Sequence, residues 1–287
     1  MDNNGSILYA ARRGITLPQL KENGVIPSQS QLKLLQLYDL IRVEDDRITT
    51  AFPVVGPEVM GPLREKIQLA AAGLAHRMIA EVRGIREELQ RRGHPGHDYA
   101  VVFGHAVDGL LWEQLRAADM VPTTELTLKR PLWNGAFWAI HPPIPAGAGV
   151  NELPGEASTL IMIWTESTRE ALWEVAHSEA TQNLLNNPTR QSKIPVLETD
   201  RSDALHLHST TIAEIIAETI RVSPQAQELL ADFPDATPQE CTLIVAHELI
   251  WAIMEALVTA GHLEPLAEQG KAARKNLNEH LLIRVSG

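Results

Sequence analysis

The chain has 287 residues, a net charge of −11, 44% hydrophobic and 21% charged residues, and one cysteine. This length suits about two domains and the apolar content is enough to bury a core, which excludes compositional disorder. The acidic balance opposes nucleic acid and anionic membrane unless basic side chains gather locally, and a lone Cys241 excludes an intrachain disulfide and a Cys-x-x-Cys metal site.

The first run, MDNNGSILYAARRG, has too short an apolar core for a signal peptide, and no stretch approaches the roughly 20 apolar residues of a membrane span. The expectation is a soluble, cytoplasmic chain with no membrane partner.

In chain order, Ser6 opens a short helix, ILYAARR, that Gly14 ends. Thr16 with Gln19 and Ser28 with Gln31 each fit a capping box, and Gly24 stands where a residue just past a helix is often glycine. The second box opens QSQLKLLQLYDLI, in which Leu32, Leu35, Leu37 and Tyr38 are expected to face inward. IRVEDDRITTAF then reads as two short strands about an Asp-Asp turn.

Helix, helix, helix and hairpin in this order resemble a winged helix-turn-helix domain over residues 1–55. The resemblance rests on element order and caps. It implies a positioning helix over 16–23, a recognition helix over 28–40 in the major groove of duplex DNA and a wing over 41–52. Gln29, Gln31, Lys33 and Gln36 are the candidate base-reading groups, since Gln can pair with adenine and Lys with guanine or phosphate. Arg12, Arg13 and Lys21 are candidates for phosphate. The wing departs from the pattern: Glu44, Asp45 and Asp46 outnumber Arg42 and Arg47, which also suits a scaffold or a protein-contact surface.

Residues 56–287 are expected to form a helical and α/β domain. A long helix over 58–92 carries Leu63, Ile67, Ala70, Leu74, Met78, Val82, Ile85 and Leu89 at spacings of three and four. The winged-helix resemblance implies a linker or dimer contact for it, within a homodimer; the other account is a core helix of the second domain. RRGHPGHDY breaks it, and Asp98 caps a helix over 99–117. Residues 119–157 are rich in Pro, Gly and Trp. Their Trp133, Phe137, Trp138 and His141 are candidates to line a small-molecule pocket.

STLIMIW, a helix from Ser167 to about residue 186, KIPVLET and a helix over 203–221 suggest a small parallel βαβ unit. Thr237-Pro238 with Glu240 starts a helix that runs to Gly261. No phosphate loop is present. The expected fold class is helix-rich α+β.

FGHAVDGLLWEQL (103–115) and VAHELIWAIMEAL (245–257) share an early histidine, an acid and a later tryptophan. The second falls short of a zinc-protease HExxH, because position 251 is Trp and the partner imidazole one turn on is missing. If the two helices face each other, His105, Asp108 and His247 could hold a divalent metal such as zinc, with Glu113 or Glu248 as general base. The plainer account is two core helices with hydrogen-bonded histidines. His206 and His208 diverge on a helix, and Cys241 reads as a buried thiol.

Two functions follow as expectations. One is a winged-helix regulatory protein that contacts DNA as a dimer and carries a C-terminal ligand-sensing or partner-binding domain. The other is a metal-dependent hydrolase with the winged helix as scaffold.

Overall fold

The computed structural model describes residues 3–122, 138–140, 148–154, 158–165, 178–179, 196–233, 236–264 and 281–286. It is a helix-rich α+β structure, and the chain forms two compact units. Unit 1 comprises residues 1–67, 116–144 and 222–248; unit 2 comprises 68–115, 145–221 and 249–287. Neither unit is one continuous stretch, and residues 55 and 56 both fall in unit 1.

Unit 1 begins with helix α1 (Asn4–Ala10), a short 3-10 turn (Ala11–Arg13), strand β1 (Ile15–Thr16), helices α2 (Leu17–Glu22) and α3 (Gln29–Leu37), and strands β2 (Ile41–Glu44) and β3 (Arg47–Thr50). The caps are local and complete. Thr16 Oγ1 accepts from the Gln19 N–H while Gln19 Oε1 accepts from the Thr16 N–H, and Ser28 and Gln31 make the same reciprocal pair. Gly24 closes α2 at φ +76°, where a Cβ would be strained. The Asp45-Asp46 turn has both φ angles positive, as a tight two-residue hairpin requires.

The three strands form one antiparallel sheet, β1-β3-β2, in register Ile15↔Ile48 and Val43↔Ile48. A core of Ile7, Ala11, Ile15, Leu20, Leu35, Ile41 and Ile48 takes one residue from each of the seven elements.

Unit 1 also holds strand β4 (Val54–Val55) and the first turns of helix α4 (Pro57–Arg91), where Met60, Leu63 and Ile67 are buried. Helix α4 continues in unit 2. There Leu74, Met78, Val82, Ile85 and Leu89 are buried, so the expected stripe is the buried face along its length.

After α4, unit 2 runs through α5 (Asp98–Ala100), a π-helical stretch (Val101–Leu110) and α6 (Leu111–Ala117). The π stretch is built around two glycines. A Cβ on Gly104 would lie 2.6 Å from the Ile163 side chain, and one on Gly109 would lie 2.8 Å from the Gly104 carbonyl oxygen.

Strands β5 (Ala139–Ile140), β6 (Ala148–Pro154), β7 (Ser158–Thr165) and β8 (Val196–Asp200) follow, then helices α7 (Ala204–Val222), α8 (Gln225–Asp232) and α9 (Pro238–Thr259), and strand β9 (Leu282–Ser286). Strand β5 pairs in parallel with β4 in unit 1. The Thr237–Glu240 capping box opens α9. By length and apolar composition α9 could cross a membrane, which corrects the expectation that no stretch approaches a span. Its Cys241, Ile244, Val245, Leu249, Ile253 and Leu257 are buried in the protein, as in a core helix.

The sheet of unit 2 corrects the expected βαβ unit. Its order is β6-β7-β9-β8: β9 lies between β7 and β8, antiparallel to the first and parallel to the second. β7 and β8 therefore run opposite ways and do not touch. The segment LIRVS, to which the sequence reading gave no element, supplies the missing centre. The expected helix from Ser167 to about 186 lies outside the described residues, apart from positions 178–179.

Candidate functional site

The N-terminal module carries six basic and six acidic side chains within residues 1–55, so the net −11 of the chain resides in residues 56–287. On α3, at about 100° per residue, Gln29, Lys33 and Gln36 fall in one row and Ser30, Leu34 and Leu37 in the next. All six are exposed. The buried side of the helix centres on Leu35, with Leu32 half-buried.

Leu37 and Tyr38, expected inside, are outside instead: Leu34 is 55% exposed, Leu37 62% and Tyr38 45%. Nine residues of helix cannot turn four leucines to one core, and Leu35 takes the inward position. Val43 on β2 and Ile26 before α3 are exposed as well. Five of the eight large apolar side chains exposed among the described residues thus belong to this small module.

Two of the seven candidate DNA groups are committed to contacts within unit 1. The Arg12 guanidinium lies 3.7 Å from the Tyr9 ring centroid and pairs with Glu58 at 3.3 Å. Gln31 closes its capping box and donates to Asn3 Oδ1 at 2.8 Å. Arg13, Lys21, Gln29, Lys33 and Gln36 remain exposed. The wing presents Glu44, Asp45 and Asp46 to solvent beside Arg42 and Arg47.

The histidines fall into two separate settings. In unit 2 His105 is buried, and its Nε2 lies 3.2 Å from Nδ1 of His206 on the first turn of α7. Burial, reinforced by the neighbouring imidazole and partly offset by Asp203, lowers the His105 pKa to about 4. Asp203 fixes His206 by accepting its backbone N–H at 2.9 Å. It also accepts from Thr199 Oγ1, Arg92 Nη1 and the Asp200 N–H. Burial alone would raise its pKa, but these donors outweigh it and hold the carboxyl at about 2.

The helices 99–117 and 238–260 do meet inside unit 2, where Phe103 packs on Trp251 at 5.2 Å between ring centroids. They meet through aromatic groups. His105 pairs with His206, whereas Asp108 accepts from the Trp112 indole N–H at 2.8 Å. The π geometry contributes to this divergence. A helix closing i→i+5 turns by only about 80° per residue, so positions 105 and 108, neighbours on an α-helix face, stand roughly 115° apart.

In unit 1 His247 packs edge-on against Trp138, with centroids 4.8 Å apart, and its Nδ1 lies 3.9 Å from the Glu248 carboxylate. Glu248 is buried and takes Arg64 Nε at 2.7 Å. Burial pushes its carboxyl up, yet the neighbouring His247 and the Arg64 bond prevail and keep it below the usual range. A general base at neutral pH works best with a pKa near 7, and Glu248 is shifted away from that value. Glu113 is exposed on α6.

Among the described residues no three His, Cys, Asp or Glu side chains come together to hold a metal ion. Trp133, Phe137 and His141 lie outside the described residues, so of the expected pocket lining only Trp138 is placed.

A groove in unit 1 between α4 and α8 is lined by Val59, Pro62, Leu63 and Leu229, with the Lys66–Glu228 ion pair beside it. At about 190 Å³ it is below the roughly 300 Å³ at which small-molecule pockets begin. Cys241 is buried, and burial followed by the Glu240 charge raises its thiol pKa to about 11, so it is unreactive at neutral pH.

The sequence reading missed His206 as the partner of His105 and Arg64 as the partner of Glu248. Both pairings join residues about 100 or more positions apart, which no local spacing encodes. No family model, curated protein or solved structure matches this chain.

Proposed function

We propose that this chain is a regulatory protein whose residues 3–50 form a winged helix-turn-helix module that contacts duplex DNA through α3. The observation that carries the reading is the order α1-β1-α2-α3-β2-β3 with β1 added to the β2-β3 hairpin. The exposed row Gln29, Lys33 and Gln36 supports it with donors and acceptors suited to base edges and phosphate. Exposed Arg13 and Lys21 supply further phosphate contacts. The acidic wing leaves the charge of the contact to these residues. Unit 2 is, in this reading, the part that receives a small molecule or a partner.

The test is fluorescence anisotropy of the full chain with a labelled random-sequence duplex across a salt series. Affinity should rise as salt is lowered, and Lys33→Ala should reduce the log–log slope by about 1. A binding signal that does not respond to salt, or none at all, refutes the reading. The exposed Glu44, Asp45 and Asp46 favour a second reading, in which the wing faces a protein and not phosphate. Asp45→Lys with Asp46→Lys strengthens DNA binding if the wing touches the backbone and leaves it unchanged if it does not.

A further inference from the structure

We infer that Leu34 and Leu37 of α3 read thymine through its C5-methyl group, so that the duplex this module prefers carries A·T pairs under the middle of that helix. This rests on the reading of α3 as the helix that enters the major groove, and it names the base pairs that the helix selects.

Three observations carry the inference. The first is where the leucines stand. Leu35 is the buried side chain of α3. At about 100° per residue, Lys33 and Leu37 each lie within about 20° of the direction opposite Leu35, with Ser30 about 40° from it. Leu34 stands about 60° beyond Leu37. All four are exposed. The leucines thus share the outward face with the lysine and the serine, and a helix that turns Lys33 toward a groove turns Leu37 toward it as well.

The second is the makeup of that face. The helix reads QSQLKLLQL: it has no acidic residue, and Lys33 is its one charge. Nothing on it repels phosphate. Yet Leu34 is 55% and Leu37 62% exposed, and the core of the module takes Leu35 from this helix and neither of them. Large apolar side chains on a base-reading face gain free energy only where they cover apolar surface.

The third is what the major groove offers. Its base edges present donors and acceptors, and their one apolar group is the thymine C5-methyl. A leucine over a G·C pair strips water from guanine O6 and N7 or from the cytosine amino group and returns no hydrogen bond, which is a cost. Over thymine it covers a methyl group. Leu34 and Leu37 are about 4.5 Å apart along the helix axis, against roughly 3.4 Å per base-pair step, so they address neighbouring pairs. An adenine in the same tract offers N6 and N7 to Gln29, at the N-terminal end of the helix, where such helices contact bases.

The test is fluorescence anisotropy of the full chain on two labelled duplex pools across a salt series. One has random A·T sequence; the other has deoxyuridine in place of thymidine throughout, which removes only the C5-methyl groups. The wild type should bind the thymine pool several-fold more tightly, about fourfold for each methyl covered. Leu34→Ser/Leu37→Ser, at exposed positions and with no change of charge, should bind both pools alike with the log–log salt slope and the circular dichroism unchanged. Salt-dependent binding of the wild type with equal affinity for the two pools overturns the inference and leaves the DNA reading standing; this comparison needs no variant. A folded variant that keeps the preference overturns the assignment to these leucines. No salt-dependent binding to either pool overturns the DNA reading and this inference with it. A dimer in sedimentation velocity that the variant loses, with the wild type binding both pools alike, overturns it in favour of a second copy on the leucines.

Discussion

Acidification should destabilise this protein through the buried His105 imidazole before its carboxylates begin to titrate. His105 is buried against His206 and stays neutral down to about pH 4, whereas in the unfolded chain it takes up a proton near 6.5. Between those values the unfolded state binds more protons, so stability falls as the pH drops from about 6.5 and levels off below about 4. At roughly 1.4 kcal/mol per pH unit the loss attributable to His105 is about 3 kcal/mol, a large share of the roughly 5–15 kcal/mol that holds a domain together.

The assay is urea denaturation at pH 7, 6, 5 and 4 for the wild type and His105→Gln, which keeps hydrogen-bonding capacity and does not titrate. The chain has eleven histidines, and the difference between the two curves removes the contribution of the other ten as far as they respond alike. The wild type should lose more stability than the variant between pH 6.5 and 4, and the two should run parallel below. Identical curves over that window would refute the claim that His105 is held neutral by burial. Asp203 acts in a lower window. Its folded pKa of about 2 lies below the ordinary 3.8, so its contribution is present above about 3.8 and is lost only as the pH falls through 2.

Other outcomes follow from the same geometry. Gly104→Ala places a methyl 2.6 Å from Ile163, which should cost about 1–3 kcal/mol by thermal or urea melts and be largely relieved by a companion Ile163→Ala. Gly109→Ala meets the Gly104 carbonyl at 2.8 Å, so no side-chain truncation should rescue it; recovery with Ile163→Ala would show that the π stretch can relax. Asp203→Ala removes the cap of α7, leaves Thr199 Oγ1 without this acceptor and leaves Arg92 with Glu88 but without this second carboxylate. It should lower stability by about 2 kcal/mol in urea titrations, and a loss below about 0.5 would contradict the role assigned to this cap.

What the sequence disclosed and what it withheld divide along physical lines. Caps are settled by four consecutive residues, so Thr16 with Gln19, Ser28 with Gln31 and Thr237 with Glu240 are where the pattern places them. The stripe of α4 spans many turns, and its phase is unambiguous. α3 is too short and too rich in leucine for phase to be read, which is why Leu37 and Tyr38 were set on the wrong side. The pairing of His105 with Asp108 assumed α-helical twist, and the π stretch removes it. The partners His206 and Arg64 are tertiary facts with no local trace. LIRVS is short and alternates in no decisive way, and its place between β7 and β8 depends on residues far upstream.

That last placement bears on how fast unit 2 can assemble. β7 and β8 have no bonds to each other; each waits for β9, whose residues lie about 80 positions beyond β8 and more than 110 beyond β7. Closing loops of that length before any ladder bond rewards them is slow. Until β9 arrives β8 has two open edges, and β7 one. The centre of the sheet thus depends on its contacts of longest sequence separation, and while they are open the chain can pair with the wrong strand, a hazard that its charge of −11 works to suppress by keeping copies apart.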